Sequence, residues 1–471
     1  MFFKYARTLI LAENGFCSFP TPPLYVVEGD AGSGKSKSIN VLSQAMEKEF
    51  RKAGDDPDHP YILKGSFTAK AATNIKGQTL TSLFTLSFGN KLGGMSDMMR
   101  DKKRELLQNL KLLIIDEYSM VKSDMLYQID QRLKEIMVSQ ENFGGIAVIL
   151  LGNLLQLQPV KGRYIFEEPA SDQWRFGHQL QSLWEMFVPI KLTYNHRQAG
   201  EHRFAELLKR IARGIKTEPD LELLRTRVVS KDDPRIPEDT LYVFPRRKEV
   251  KEMNEHKLNL LEEDLVVLKA TNILCTKRHF EPYVDEVDGK VRNTPLTNVL
   301  YLKKRAKIIL IHNIDLSDGL VNGTEGIVLD FLKQGDMVTH VVVELNDKEA
   351  GQKLRQSQSH TFLCLYPHGV PIPRMHHTYS INKRKHEEGH KAICIQFPIQ
   401  LGYAVTTHKI QGDNIVQPKT ETTDFSGIFQ ESQYYTTTSR VSILEGIFIL
   451  DDIYENKIYT SKKSIRCVER T

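Results

Sequence analysis

The chain has no two cysteines close enough in sequence to clamp a metal. Cys17, Cys275, Cys364, Cys394 and Cys467 stand singly, with no C-x-x-C, so neither a zinc site nor a disulfide framework is indicated and a reducing compartment is the plain reading. Long apolar runs are missing too. The opening Met1-Phe2-Phe3-Lys4-Tyr5-Ala6-Arg7 leads only into Leu9-Ile10-Leu11-Ala12, too short for a secretory core or a membrane span. The expectation is a soluble, unanchored, intracellular protein of nucleus or cytoplasm. Excess charge is small: 64 Lys and Arg against 59 Asp and Glu give a net +5, compatible with a polyanionic partner without demanding one. What remains, 471 residues that are 40% hydrophobic and 26% charged, describes a globular chain of two to four domains.

Gly29-Asp30-Ala31-Gly32-Ser33-Gly34-Lys35-Ser36 follows the apolar run Leu24-Tyr25-Val26-Val27 and precedes a segment with Ile39, Leu42 and Met46 at helical spacing. Strand, glycine-rich loop and helix are the context a phosphate-binding loop requires. Glycines let successive backbone N–H groups turn inward around a phosphate, the helix N-terminus adds partial positive charge, and Lys35 reaches the β- and γ-oxygens of a nucleotide such as ATP. Ser36 is placed to hold Mg²⁺. Downstream, Leu112-Leu113-Ile114-Ile115-Asp116-Glu117 reads as a buried parallel strand delivering two acids to its C-terminal edge. Asp116 is placed to bind Mg²⁺ directly or through water, and Glu117 to polarise an attacking water. On its own this stretch is equally a strand ending in solvated acids; the phosphate loop tips the reading.

Between these motifs, Tyr61-Ile62-Leu63 begins a second strand. Thr68, Lys70, Thr79 and Ser82 then offer hydroxyls and one cation at strand–helix boundaries, suited to backbone phosphates rather than bases. Taken singly, helix capping is the simpler role for the hydroxyls. A further strand, Ile146 to Leu151, runs into Gly152-Asn153-Leu154-Leu155-Gln156-Leu157-Gln158-Pro159-Val160. From about 264 the pattern changes to short β-like runs, at 307–311, 324–329, 340–345 and 360–365, which suggests a small β-barrel or sheet. Residues 351–391 are rich in Lys, Arg, His and Gln, including Lys383-Arg384-Lys385-His386. These are a solvated loop by default and a nucleic-acid or import patch on the sharper reading.

In that order, Gly29–Ser36, Phe67–Ser82, Asp116–Met120 and Gly152–Val160 resemble the first motor lobe of superfamily 1 helicases, in particular the PIF family and its RecD relatives. The resemblance continues through Leu192-Thr193-Tyr194-Asn195-His196-Arg197-Gln198, the glycine-rich Asp318–Gly326, Gln396–Gly412 and Tyr434–Val441, about 24 to 450 in all. It implies a fold of two RecA-like α/β lobes with parallel sheets and a small β-barrel insertion in the second. It implies domains at 1–195 (with an insertion near 85–110), 196–300, 301–395 (the insertion) and 396–471. By the same resemblance Lys35, Glu117, Gln156, Arg197 and Arg440 are catalytic, the two arginines neutralising the γ-phosphate. Gly29, Ala31, Gly32, Ser33, Gly34, Lys35, Ser36, Gln411 and Gly412 hold nucleotide, and Ser36 and Asp116 hold magnesium. Thr68, Lys70, Thr79, Ser82, Thr407, His408 and Lys409 face single-stranded nucleic acid.

The activity implied is ATP- and Mg²⁺-dependent 5′-to-3′ DNA unwinding in replication, repair or recombination. Single-stranded and tailed or forked duplex DNA are the implied partners, and RNA–DNA hybrids and G-quadruplexes come with the family; a monomer without membrane attachment is expected. Three departures stand out. Residues 1–35 contain no glutamine, where relatives usually place one to read adenine, so weak discrimination between nucleoside triphosphates is expected. Asn153 replaces the usual Asp of its motif, and Arg305 stands where relatives usually have glycine. Arg305 bears on its local turn, while Asn153 and the missing glutamine keep open an ATP-switched single-strand clamp with little unwinding; a P-loop enzyme acting on small substrates is a more remote reading.

Overall fold

A computed structural model describes residues 2–86, 92–160, 162–169, 182–198, 200–275, 280–282, 294–380, 391–415 and 418–470. The basic run Lys383–His386 lies outside them. The chain forms two compact units, Met1–Arg246 with Thr406–Thr471, and Arg247–Val405.

The first unit is built on a six-stranded sheet. Its strands are β1 (Leu24–Gly29), β2 (Ile62–Ser66), β3 (Gln78–Thr79), β4 (Leu112–Asp116), β5 (Ala147–Gly152) and β6 (Val188–Leu192), in the order β3-β2-β4-β5-β1-β6. All their pairings are parallel. The apolar runs of β4 and β5 are buried along their whole length, because helices cover both faces. Leu112, Ile114 and Ile149 pack with α1 (Phe2–Glu13) and α2 (Lys35–Phe50) through Leu9, Ile39 and Met46. Leu113, Ile115, Val148 and Leu150 turn the other way, among Leu126, Ile129 and Leu133 of the helix Ser123–Met137. The period of two thus sorts one strand into two cores.

A second parallel array in the same unit runs β8 (Leu241–Phe244), Glu421–Thr423, Ile447–Leu450 and β7 (Val228–Val229). Ile447 and Ile449 join the core that holds Leu113 and Val148. The helix His202–Ala212 joins the same core, burying Phe204, Leu207, Leu208 and Ile211, as their spacing predicts.

The second unit is mostly antiparallel. One sheet orders Gly369–Pro373, Met337–Leu345, Glu325–Gln334, Lys307–Leu310 and Ile399–Leu401; another orders Phe280–Pro282, Thr271–Cys275, Lys391–Gln396 and Met375–Ser380. The expected run at 360–365 is a helix, His360–Leu365, not a strand. Ser359 caps it, accepting from the Phe362 N–H at 3.3 Å, and Phe362 is its one buried residue; a short apolar run does not distinguish the two states. Arg305 sits at φ +65°, in the left-handed region glycine favours.

Candidate active site

Strands β1, β2, β4 and β5 all end at the same edge of the sheet, as parallel strands do, and there the chemistry-bearing residues collect. This is the edge at which open α/β sheets bind ligands. Gly34 precedes α2 with φ +83° and Gly32 has φ +84°, so the loop turns as only glycine does readily. Lys35 is buried, and its Nζ donates to the carbonyls of Gly29 at 2.7 Å and Asp30 at 2.9 Å. Burial pulls this ammonium below its ordinary value, opposed by Glu117, Asp116 and Glu28. An ammonium surrounded by acids and held on the loop is a cation poised for phosphate oxygens.

Ser36 Oγ lies 3.4 Å from Asp116 Oδ2. A hydroxyl and a carboxylate converging in this way are the hard oxygen donors that magnesium takes, so the residues fit the ion. Among the described residues no group of three or more His, Cys, Asp or Glu side chains could hold a metal, so magnesium here would draw most of its ligands from phosphate and water. Burial, then the neighbouring Glu117, push Asp116 up; a bound cation would reverse that direction. Glu117 itself takes φ +52°, a strained turn for a side chain. Its Oε2 accepts from Gln411 Nε2 at 3.1 Å, and the same amide reaches Ser119 Oγ at 3.3 Å.

Gln411 and Gly412 thus sit against the acids, with Asn74 donating to the Gly412 carbonyl at 3.2 Å. The arginine segment packs on the phosphate loop from the other side. The backbone N–H groups of His196 and Arg197 donate to the Gly32 carbonyl at 2.9 and 3.3 Å, and Arg197 Nη1 donates to the Ser439 carbonyl at 2.6 Å. Burial, and then Arg440, pull Arg197 below the ordinary guanidinium value. Two guanidinium groups close enough to repel ask for an anion between or beside them. Arg440 is buried, donating to Thr436 O at 2.9 Å, Ser439 Oγ at 2.9 Å and Asp413 O at 3.4 Å. Gln156 is buried beside Asn153, its Oε1 without a hydrogen-bond donor.

The strand-facing candidates divide. Thr68 and Thr79 are N-caps, accepting from Ala71 N at 3.2 Å and Ser82 N at 3.4 Å. Each hydroxyl accepts in its cap and so keeps a hydrogen to donate. Ser82 is exposed, and Lys70 Nζ stands 3.9 Å from Asp413 Oδ1. Thr407 is buried with Thr437 Oγ1 donating to it at 3.2 Å. His408 Nε2 pairs with Gln430 Oε1 at 2.9 Å, and Lys409 is exposed.

Two polar connections went unread in the sequence. Glu28, buried at the end of β1, accepts from the Tyr118 hydroxyl and from Leu154 N at 2.7 Å. Burial pushes its carboxyl up to about 7, against the hydrogen bonds from Tyr118 and Leu154 and the charge of Lys35. An acid closing an apolar strand was the available signal. The hydroxyl of Tyr435 accepts from Ala31 N and from Asn153 Nδ2, both at 3.3 Å.

A family model described as PIF1-like helicase matches residues 18–220, and one described as DNA helicase Pif1, 2B domain, matches residues 290–331. The chain is 28% identical over 452 residues to the ATP-dependent DNA helicase Pif1 of Campylobacter jejuni, covering 93% of this chain and 89% of that protein. It is 26% identical to the ATP-dependent DNA helicase PIF1 of Xenopus laevis, covering 90% of this chain and 58% of that one. Among solved structures, Bacteroides Pif1 bound to single-stranded DNA superposes with a TM-score of 0.70 at 24% identity, covering 99% of this chain and 96% of that one. Pif1 helicase from Candida albicans superposes with a TM-score of 0.69 at 22% identity, over 99% and 98%.

Proposed function

The chain belongs to the PIF1-like helicase family, as an ATP-dependent DNA helicase, and from that premise we propose that it moves 5′ to 3′ along single-stranded DNA with magnesium as cofactor. The two parallel arrays of the first unit are the two motor lobes, and the second unit carries the accessory insertion. Lys35 and the loop amides bind the β- and γ-phosphates of ATP. Bound beside Ser36 and Asp116, magnesium would neutralise phosphate charge. Glu117 orients and polarises the attacking water, with Gln411 holding the carboxylate in place. Arg197 and Arg440 offset the charge that develops on the γ-phosphate.

The observation that carries this reading is the bond from Gln411 to Glu117 Oε2, 3.1 Å. It joins the acid of the first array to the segment that carries Lys409 and His408 two and three residues earlier. Hydrolysis and strand grip therefore share one short piece of chain, which is the coupling a stepping motor needs. Thr68, Lys70, Thr79 and Ser82 on one array and His408 and Lys409 on the other hold the strand, while Thr407 supports their loop from inside. The 5′-to-3′ direction is proposed from the family resemblance.

ATP hydrolysis with and without single-stranded DNA, run beside unwinding of duplexes bearing a 5′ or a 3′ tail, tests this. Stimulation with unwinding from the 5′ tail alone is expected. Stimulation without unwinding would favour the ATP-switched clamp, a reading that Asn153 at a position usually Asp keeps in view. No stimulation would overturn the strand contacts.

A further inference from the structure

Glu28 is the last residue but one of β1, is buried, and has no part in the hydrolysis scheme above. Its two oxygens serve two different loops: Oε2 accepts from the Tyr118 hydroxyl and Oε1 from Leu154 N at 2.7 Å. Tyr118 directly follows Glu117 and reaches Glu28 by crossing β5, which lies between β4 and β1 in the sheet. Room is left for that crossing. A Cβ on Gly152 would stand 2.8 Å from Tyr118 Cδ1 and 3.1 Å from its Cε1, and Trp184 packs against the same ring with centroids 5.7 Å apart. Leu154 follows Asn153, whose carbonyl accepts from Gln156 N at 3.1 Å and whose Oδ1 accepts from Leu155 N at 2.8 Å. The turn that carries Gln156 is therefore fastened to Glu28 at its second residue.

A buried carboxyl is tolerated where hydrogen bonds meet it, and here both partners are chain neighbours of residues assigned to hydrolysis. Glu117 stands at φ +52°, a backbone that persists only when its surroundings hold it, and the anchored residue is the next one, Tyr118. We propose that Glu28 is a positioning residue for ATP hydrolysis, fixing the Glu117 turn through Tyr118 and the Gln156 turn through Leu154. This rests on the reading of Glu117 and Gln156 as hydrolytic residues and adds the support that holds them. Lys35 fastens the phosphate loop through the carbonyls of Gly29 and Asp30, which need no side chain at position 28, so truncating Glu28 separates hydrolysis from nucleotide binding.

The test measures kcat of strand-stimulated ATP hydrolysis and, separately, equilibrium binding of a fluorescently labelled ADP to the full chain, for wild type, Glu28→Ala, Glu28→Gln and Tyr118→Phe. Glu28→Ala should lower kcat by about 10- to 100-fold with ADP affinity within about threefold. Glu28→Gln keeps an acceptor for Leu154 N and a partner for the Tyr118 hydroxyl, and should stay within about threefold of wild type in kcat. Tyr118→Phe removes one hydroxyl and keeps the ring; it should lower kcat by at least about threefold, and it decides the matter should Glu28→Ala fail to fold. Glu28→Ala or Tyr118→Phe at the wild-type kcat, equal losses in kcat and ADP affinity, or Glu28→Gln falling as far as Glu28→Ala would overturn the inference while leaving the helicase reading in place. Glu117→Gln is the control beneath it: hydrolysis by that variant at the wild-type rate would overturn the role of Glu117 and this inference with it.

Discussion

Placing a methyl group on Gly32 should disable hydrolysis by moving an arginine that lies far from it in sequence. A Cβ there would stand 2.3 Å from Arg197 Cβ, 2.8 Å from Asn195 Oδ1 and 3.2 Å from Arg197 N. Carbon atoms rest at about 3.5–4.0 Å, so the arginine segment must retreat by about 1.2 Å or more. It cannot bend away piecemeal. Its N–H groups hang on the Gly32 carbonyl, and Asn195 Oδ1 accepts from Arg197 N at 3.0 Å and Gln198 N at 3.2 Å. A displacement of about 1 Å at a group acting on the transition state costs about 10²-fold, and the left-handed backbone adds about 1–2 kcal/mol of strain whatever the space. Gly34→Ala is the matched control: φ is +83°, but the nearest atom is a ring carbon of His196 at 3.3 Å. Strand-stimulated ATP hydrolysis should show Gly32→Ala down about 100-fold in kcat and Gly34→Ala losing mainly nucleotide affinity, with similar thermal midpoints for the two. Gly32→Ala within about threefold of wild type in kcat would refute the packing of Arg197 on the loop.

Glu28 carries a pH dependence. Its folded value of about 7 exceeds its ordinary 4.5, so the folded state holds the proton more tightly, and the stability this group contributes is full below about 4.5 and is lost as pH rises through about 7. The full difference is about 3 kcal/mol. Glu28→Gln should flatten the decline in thermal midpoint between pH 5 and 8; parallel curves would refute this. Arg305→Gly relieves a left-handed residue, with glycine's greater freedom in the unfolded chain offsetting part of the gain. A net rise of about 0.5–1 kcal/mol in urea unfolding is expected, and any loss counts against it. Asn153→Asp makes the Tyr435 hydroxyl a donor to a carboxylate, a bond roughly twice as strong as the amide's, while Ala31 N keeps its acceptor. Unwinding should rise more than strand binding when both are measured on one tailed duplex, and no change in either would make the amide neutral.

Legibility in the sequence followed chemistry that has to be local. The phosphate loop, its flanking strand and helix, and the acids ending β4 were readable because spacing along one short stretch decides whether they work. The roles of Arg197 and Arg440 came from resemblance, since a single arginine in a loop carries no pattern of its own. The bonds that assemble the site were not readable. Tyr435 meets Ala31 across 404 residues and Gln411 meets Glu117 across 294, and no local period encodes such pairs. Thr407 belonged to a readable motif, yet its side chain points into the interior.

The strand Glu421-Thr422-Thr423 is wholly buried and went unread because it is polar, whereas buried strands are sought as apolar runs. Its composition has a physical reason in what lies beside it. Arg440 is 2% exposed, and a cation taken out of water is tolerated only where acceptors surround it. Thr436, Ser439 and Asp413 supply them, and the neighbouring helix accordingly buries Gln433, Thr436, Thr437 and Thr438. Burial holds Glu421 well above the usual carboxylate range while Arg440 draws it down, so this interior sets two ionisable groups against each other rather than packing hydrocarbon. An interior that departs from the apolar rule in this way is what a buried guanidinium requires, so the unread polar strand and the buried Arg440 have one cause.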